Sequence, residues 1–389
     1  MAESTGLDMK EVEEVFETST DFTFGLEEEF ALVDPQSLEL VHRYPEMRER
    51  CDEHPLLAES AAGELIDTEI EIRSGRGESF ADAIESQQSY RTALFALADE
   101  MGVALAATGT HPWANYLDQR IIDTEHYRRL KRDLGWVARR NNTWSLHLHV
   151  GIRGADRAIA VCDRMRELLP ALLAVSANSP FLDGEDTGLH SVRTEIFTRV
   201  FPRCGIPGTF GSFEEYARYV EMLERYGSIV ESTQIWWSVR PHHRFGTVEV
   251  RICDAQTRGD ESTALLALIA ACVSQTALDY DEHGYDGAGP PLHDREIEEN
   301  TWRAIRYGMD AKLIDFRRGR QVEAKQFREE LCEWPAPARE RLGLEISLPE
   351  ANGAQRDLAA LADGRSIEQI YREAVAETKR TYAAEELVK

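Results

Sequence analysis

The stretch Gly25-Leu26-Glu27-Glu28-Glu29-Phe30-Ala31-Leu32-Val33 runs three adjacent carboxylates into an apolar segment that ends at Asp34-Pro35. The β-formers around it and the Asp-Pro turn after it predict a strand rather than a helix. Successive strand side chains point to opposite faces, so Glu27 and Glu29 share one face with Gly25 and Ala31, while Leu26, Phe30 and Leu32 share the other. Two residues of strand rise by about 6.6 Å, a spacing at which two carboxylates on one face can grip hard cations. For this segment alone, an exposed strand edge with its Glu residues in water explains the pattern equally well.

Three further segments repeat the alternation. In Glu64–Arg73, Ile66, Thr68, Ile70 and Ile72 lie on one face, and Leu65, Asp67, Glu69, Glu71 and Arg73 on the other. In Thr143–Ile152, Ser145, His147, His149 and Gly151 oppose Leu146, Leu148, Val150 and Ile152. In Gly246–Asp254, Thr247, Glu249, Arg251 and Cys253 oppose Val248, Val250 and Ile252. Between them the spacing predicts helices over 79–101, 124–138, 155–177 with a break near Pro170, 213–226 and 261–280. The hairpin partner of the first strand is expected at Leu38–Val41. The turn-rich connection 178–212 is long enough to be a functional loop or lid. Residues 1–20 read as a loose or peripheral acidic segment, weakly amphipathic through Leu7, Val12 and Phe16, and 21–389 as a single catalytic domain that is mainly helical from about 292.

Composition narrows the class. A net charge of −26 over 389 residues argues against nucleic acid or an anionic membrane as partner. The N-terminus lacks the basic and apolar regions of a signal peptide, and the apolar run at Leu168–Ala177 is too short to span a bilayer. Six scattered cysteines without a CxxC pair suit a reducing cytoplasm, which is the expected location.

Four strands with aliphatics on one face thus carry Glu27/Glu29, Glu69/Glu71, His147/His149 and Glu249/Arg251 on the other. An ordinary solvent-facing sheet alternates opposite charges across strands. Here carboxylates recur without lysine, and as neighbours they would repel unless cations sat between them. Oxygen-rich ligands with one or two imidazoles favour Mg²⁺ or Mn²⁺ over Zn²⁺. There is no GxxxxGK[ST], no GxGxxG after a strand and no HExxH. A bound nucleotide would then be held through metal-bridged phosphates and arginines. Arg251, beside Glu249, is placed to stabilise a transferring phosphoryl group; a salt bridge to Glu249 or Glu71 is the alternative reading.

These motifs resemble the type 2 glutamate–cysteine ligases, also called carboxylate–amine ligases. The resemblance rests on Gly25–Phe30, the Glu64…Glu71 strand, Gly109-Thr110-His111-Pro112-Trp113, His147–Gly151, Leu173–Phe181, Asp186-Thr187-Gly188, Trp237–Pro241, Thr247–Arg251 and Arg306-Tyr307-Gly308. It implies an α+β fold similar to glutamine synthetase and guanido kinases: a curved, mainly antiparallel sheet with helices on its apolar face and a concave metal and ATP site. It implies ATP and Mg²⁺ (or Mn²⁺) as cofactors, with Glu27, Glu29, Glu71, His149 and Glu249 as metal ligands. It places Arg251, His147 and Arg306 with the nucleotide, and Arg193, Arg240 and His111 with the amino-acid substrate. Glu249 and Arg251 would serve the reaction itself; no base for the incoming ammonium is evident from the family, and Glu69 is the candidate in this chain. A homodimer or higher homo-oligomer is a family expectation.

Two departures bear on substrate. Glu69 stands where many members carry Gln, and Asn142-Thr143-Trp144-Ser145 replaces a glycine-rich approach to the histidine pair. The implied activity is ATP-dependent formation of a γ-glutamyl or similar amide through an acyl phosphate. The alternatives are another amine and acid pair, a phosphotransferase on the same fold, a metal-dependent amidohydrolase using the HxH strand, and a binding protein with a degenerate site.

Overall fold

The computed structural model describes residues 8–383. A seven-stranded sheet forms its centre: β1 (Phe24–Val33), β2 (Ala61–Ala62), β3 (Glu69–Arg73), β4 (Ala104–Ala106), β5 (Ser145–Gly151), β6 (Val239–His242) and β7 (Thr247–Asp254). The spatial order is β6-β7-β5-β1-β3-β2, with β4 also paired to β1. Every pairing in this sheet is antiparallel. The fold is therefore α+β, as expected from the sequence.

One face of the sheet is packed and the other is open. Leu26, Leu146, Leu148, Val150, Val248 and Val250 form one core with α4 (Ala155–Met165), α5 (Leu169–Ser176) and α7 (Gly259–His283). Phe30, Leu32, Ile70 and Ile72 form a second with α2 (Phe80–Glu100) and Tyr382 of α9 (Ile367–Tyr382). α2 begins where sequence predicts, because Ser79 and Asp82 cap each other's backbone N–H, at 3.2 and 3.0 Å. It ends against Gly102, whose φ of +66° glycine tolerates. Pro170 sits in the first turn of α5, so the long helical pattern divides there into two helices. α7 is long and apolar enough to cross a membrane, but 89% of its most apolar window is buried inside the domain.

Glu28 falls on the packed face, where an unpaired carboxylate would be costly. It is 2% exposed and meets the fully buried Arg91 of α2 through a two-pronged contact, Nε to Oε2 at 2.7 Å and Nη2 to Oε1 at 2.6 Å. Gln87 donates to the same carboxylate at 2.9 Å, and Ser262 of α7 donates to its other oxygen. This network ties β1 to two helices.

Several expectations need correction. Residues 8–17 are not loose: α1 (Met9–Glu17) buries Met9, Val12 and Phe16 in the first core, while residues 1–7 of the segment lie outside the described residues. The end of the proposed 21–389 domain, 384–389, also lies outside them. No strand forms at 38–41, because Leu38 takes a φ of +63° and only Val33 and Leu40 bridge. The strand predicted at 64–73 begins only at Glu69, after a turn at 67–68. The connection 178–212 contains a helix, α6 (Val192–Val200). A small hairpin, Lys312–Asp315 with Arg320–Glu323, interrupts the helical C-terminal part.

Arg91→Ala, which strands a buried carboxylate, should cost about 3–5 kcal/mol in urea unfolding. Replacing Glu28 and Arg91 together with Met should cost less than Arg91→Ala alone. A single mutant as stable as wild type would contradict the buried pair.

Candidate active site

Sheet register brings the predicted carboxylates together. β1 pairs Glu29 with Glu71 and Glu27 with Arg73 on one side, and Glu27 with His147 and Gly25 with His149 on the other. β5 then pairs His149 with Glu249, and β7 pairs Glu249 with Arg240. These side chains line a cavity of about 370 Å³ on the open face, covered by Tyr127 and Leu130 of α3 (Glu125–Leu134) and by Phe197 and Trp236.

The geometry inside is dense. His147 Nδ1 lies 3.0 Å from Glu27 Oε2, and its Nε2 lies 2.8 Å from Ser145 Oγ. Ser145 Oγ also reaches Glu29 at 2.7 Å, so its one hydroxyl proton serves either the imidazole or the carboxylate. His149 is held at Nδ1 by Thr247, at 3.0 Å. Its Nε2 is 3.2 Å from Glu27 and 3.8 Å from Glu249, yet aligned for a hydrogen bond with neither. Glu249 accepts from Arg240 Nε at 2.6 Å and from Arg251 Nη1.

Burial and charge divide the acids into two groups. Burial opposes ionisation of Glu27, but His149 and His147 outweigh it and hold that carboxyl well below the usual range. Burial likewise opposes ionisation of Glu249, and Arg240, Arg251 and His149 hold it low. On the β3 side, burial and neighbouring acids push the carboxyls up: Glu64 to about 8, and Glu69 and Glu71 well above the usual range. Burial lowers His147 with help from Arg251, whereas Glu249 and Glu27 overcome burial and raise His149.

Two sets of donor atoms lie within 4.8 Å of one another: Glu27, His147 and Glu249, and Glu29, Glu71 and His147. Acid in excess of cation, an imidazole nitrogen without a partner, and carboxylate-plus-imidazole donors fit hard divalent ions. The geometry brings His147, expected near the nucleotide, into both sets, and leaves His149 facing two of the same carboxylates.

Arg193 and Arg240 reach the cavity; His111 and Arg306 do not. The fully buried His111 ring meets the Leu38 carbonyl at 2.7 Å through Nε2 and accepts the Ala114 N–H at 3.0 Å through Nδ1. Its role is to lock a loop, and burial lowers its pKa to about 4. Arg306, on α8 (Asp294–Tyr307), donates to the Gly188 carbonyl outside the lining residues. Glu69 points to the open face but lies beneath the lining residues, 1% exposed, with Oε2 unpartnered.

Alternation missed two groups. Glu64, which alternation had left unassigned, lines the cavity from ahead of the turn at 67–68, where the strand phase is broken. Cys253, counted on the site face, is fully buried in the helix-side core, because a bulge between Val250 and Cys253 shifts the register. The bulge puts Asp254 opposite Ser145 instead.

The antiparallel sheet with a shared acidic face is not the parallel barrel of a metal-dependent amidohydrolase. Residues 23–386 match glutamate–cysteine ligase family 2. A Rubrobacter xylanophilus protein with the provisional name glutamate–cysteine ligase 2-2 is 38% identical over 378 residues, covering 96% of each chain. One from Sorangium cellulosum, provisionally named glutamate–cysteine ligase 2, is 39% identical over 357 residues, 90% of this chain and 94% of that one. Among solved structures, the Francisella tularensis glutamate–cysteine ligase in complex with AMP has a TM-score of 0.66 at 13% identity, covering 96% of this chain and 91% of that one. A bifunctional glutathione synthetase from Pasteurella multocida has a TM-score of 0.65 at 13% identity, covering 96% of this chain and 54% of that one, and shares the fold. The chain belongs to glutamate–cysteine ligase family 2. Its family makes it a ligase that forms carbon–nitrogen bonds.

Glu27→Gln and Glu71→Gln should weaken Mn²⁺ binding, read by titration calorimetry, by more than the roughly 10–100-fold that changes one shell further out cost. Glu71→Gln should not lower the melting temperature, because it relieves repulsion among like charges, whereas Glu27→Gln should lower it by removing the attraction of His149 and His147. Wild-type affinity should rise as pH passes up through about 8, where Glu64 gives up its proton, and fall below it. Unchanged affinity in both variants would remove these residues from the metal site.

Proposed function

We propose that the chain activates the side-chain carboxylate of glutamate, or of a similar acid, as an acyl phosphate and couples it to an amine, with cysteine as the favoured amine. The carrying observation is the division of the cavity. Glu27, Glu29, Glu64 and Glu71 occupy the β1–β3 side with the single cation Arg73, while Arg240, Arg251 and Arg193 occupy the β6–β7 side and α6 around the single carboxylate Glu249. The provisional names of the Rubrobacter and Sorangium relatives support the substrate pair, and the AMP complex of the Francisella enzyme supports the nucleotide.

In the first step a carboxylate oxygen attacks the γ-phosphorus of ATP and ADP leaves. In the second the amine nitrogen attacks the acyl carbon, phosphate leaves and the nitrogen loses a proton. Mg²⁺ or Mn²⁺ held by Glu27, Glu29, Glu71, Glu249 and the two histidines would supply charge neutralisation on the phosphate oxygens.

The chain's own contribution is orientation and fixed positive charge. Glu249 holds Arg240 and Arg251 by its two oxygens. Arg251 is thereby anchored through Nη1, while its buried Nε has no partner among the described residues and is free for a phosphoryl oxygen. A donor fixed before charge develops stabilises the transition state without reorganising. Glu69, buried beneath the lining, does not suit the role of base.

Release of ADP should require glutamate, and amide should appear only when an amine is added; a screen across amines including cysteine tests this. ADP release unaffected by any acid would overturn the ligation reading. Formation of a stable phosphorylated acid without amide would favour the phosphotransferase. Arg251→Ala should lower kcat by about 10²–10³ with a smaller rise in the KM for ATP. Arg251→Lys should recover part of the rate, since it keeps the charge and loses the planar fork. A near-wild-type kcat in Arg251→Ala would remove Arg251 from phosphoryl transfer.

A further inference from the structure

Beside the cavity, the wholly buried Asp254 collects an unusual set of donors. Its Oδ2 accepts the Asn178 N–H at 2.8 Å and the Ser179 hydroxyl at 2.7 Å. Its Oδ1 accepts the Ser191 hydroxyl at 2.9 Å and Arg193 Nη1 at 3.4 Å. Every one of these donors comes from the 178–193 segment, the first part of the long connection that precedes and enters α6.

Arg193 is locked further by main chain. Its Nη1 donates to the Ile252 carbonyl at 3.1 Å and its Nη2 to the Arg251 carbonyl at 3.2 Å. Its Nε is buried without a partner among the described residues, and the side chain lines the cavity. The Nε N–H and the second N–H of Nη2 are thus left for something that enters. Gly109 closes the other side of the clamp. A Cβ there would lie 2.8 Å from the Asp254 carboxyl carbon and 2.9 Å from Ser179 Cβ. The Gly109-Thr110-His111 loop therefore backs Asp254 rather than meeting substrate. The β7 bulge is what turns a carboxylate toward this segment at all.

The geometry points to Asp254 as a positioning residue: it fixes the 178–193 segment so that Arg193 presents its Nε N–H to a carboxylate of the acid substrate. This rests on the ligase reading above and deepens it, naming what sets affinity for the acid. Asp254 touches no reacting atom. An apolar residue could fill its space but could not receive four donors from a single segment. Its own carboxyl is pushed up by burial, and Arg193 opposes that push.

The test uses the full chain in four variants, Ser191→Ala, Asp254→Asn, Arg193→Met and the Asp254→Asn/Arg193→Met double, with melting temperature checked for each. Acid-dependent ADP release by the wild type tests the ligase reading separately. L-glutamate binding by calorimetry tests the clamp whether or not turnover is seen. Ser191→Ala removes the Asp254 contact together with the cap that the Ser191 hydroxyl gives the Thr194 N–H at the start of α6, and should weaken L-glutamate about fivefold or more, with the KM for ATP unchanged. Asp254→Asn, which sets an N–H₂ against donors, should weaken it by about tenfold or more. In the Arg193→Met background, Asp254→Asn should change L-glutamate affinity by less than about twofold, because the two act as one unit.

Full additivity of the two changes, or equal loss of ATP and L-glutamate affinity, would assign Asp254 a purely structural role and overturn the inference. So would wild-type affinity in both Ser191→Ala and Asp254→Asn, or a wild-type chain that binds no L-glutamate.

Discussion

The fold is arranged around a repulsion. Glu27, Glu29, Glu64, Glu69 and Glu71 crowd one end of the open sheet face, and on the β3 side the crowding shows as carboxyls that give up their protons reluctantly. Isolated charges buried this way would not persist without compensation. His147 and His149 supply part of it, and Arg240 and Arg251 neutralise Glu249. What remains uncompensated lies on the β1 and β3 side, which is where donor atoms gather within reach of a single cation. The stress in the protein alone and the affinity for a divalent ion are therefore two descriptions of the same charge excess.

Holding like charges together requires a rigid floor, and the opposite face supplies it. Leu26, Leu148, Val150, Val248 and Val250 are each at most 1% exposed, so the strands cannot slide without opening a packed core. The third carboxylate of the opening motif belongs to this floor. Glu28 faces Arg91, Gln87 and Ser262, tying β1 to α2 and α7 directly behind the site. Within one Glu-Glu-Glu run, two side chains face chemistry and one faces structure.

That division was half legible in the sequence. Period-two alternation placed Glu27, Glu29, Glu71, His147, His149, Glu249 and Arg251 on one face, and the register confirms that shared face. Alternation fails wherever the backbone leaves its regular phase. The turn at 67–68 delivered Glu64 to the cavity, and the bulge before Cys253 exchanged that thiol for Asp254. Neither carries a strong local mark, since glycine and proline are absent from 64–73 and from 247–254. The partner of Glu28 was also hidden, because Gln87 and Arg91 look like the polar face of an amphipathic helix until their environment is known. His111 and Arg306 were placed by resemblance to sequence motifs whose role here is to lock loops.

The cationic half of the cavity completes the logic. Arg240 and Arg251 share Glu249, and Arg193 is fixed by Asp254, so each guanidinium is anchored by a carboxylate that is itself buried. Anchoring matters more than charge alone, because a free guanidinium would swing onto the crowded carboxylates opposite and cancel both halves. Glu249 stands at the seam, bonded to two arginines on one side and 3.8 Å from His149 on the other. The cavity therefore presents crowded carboxylates at one end and anchored guanidiniums at the other. The sheet register sets that polarity, and the loops around it only tune where the charges point.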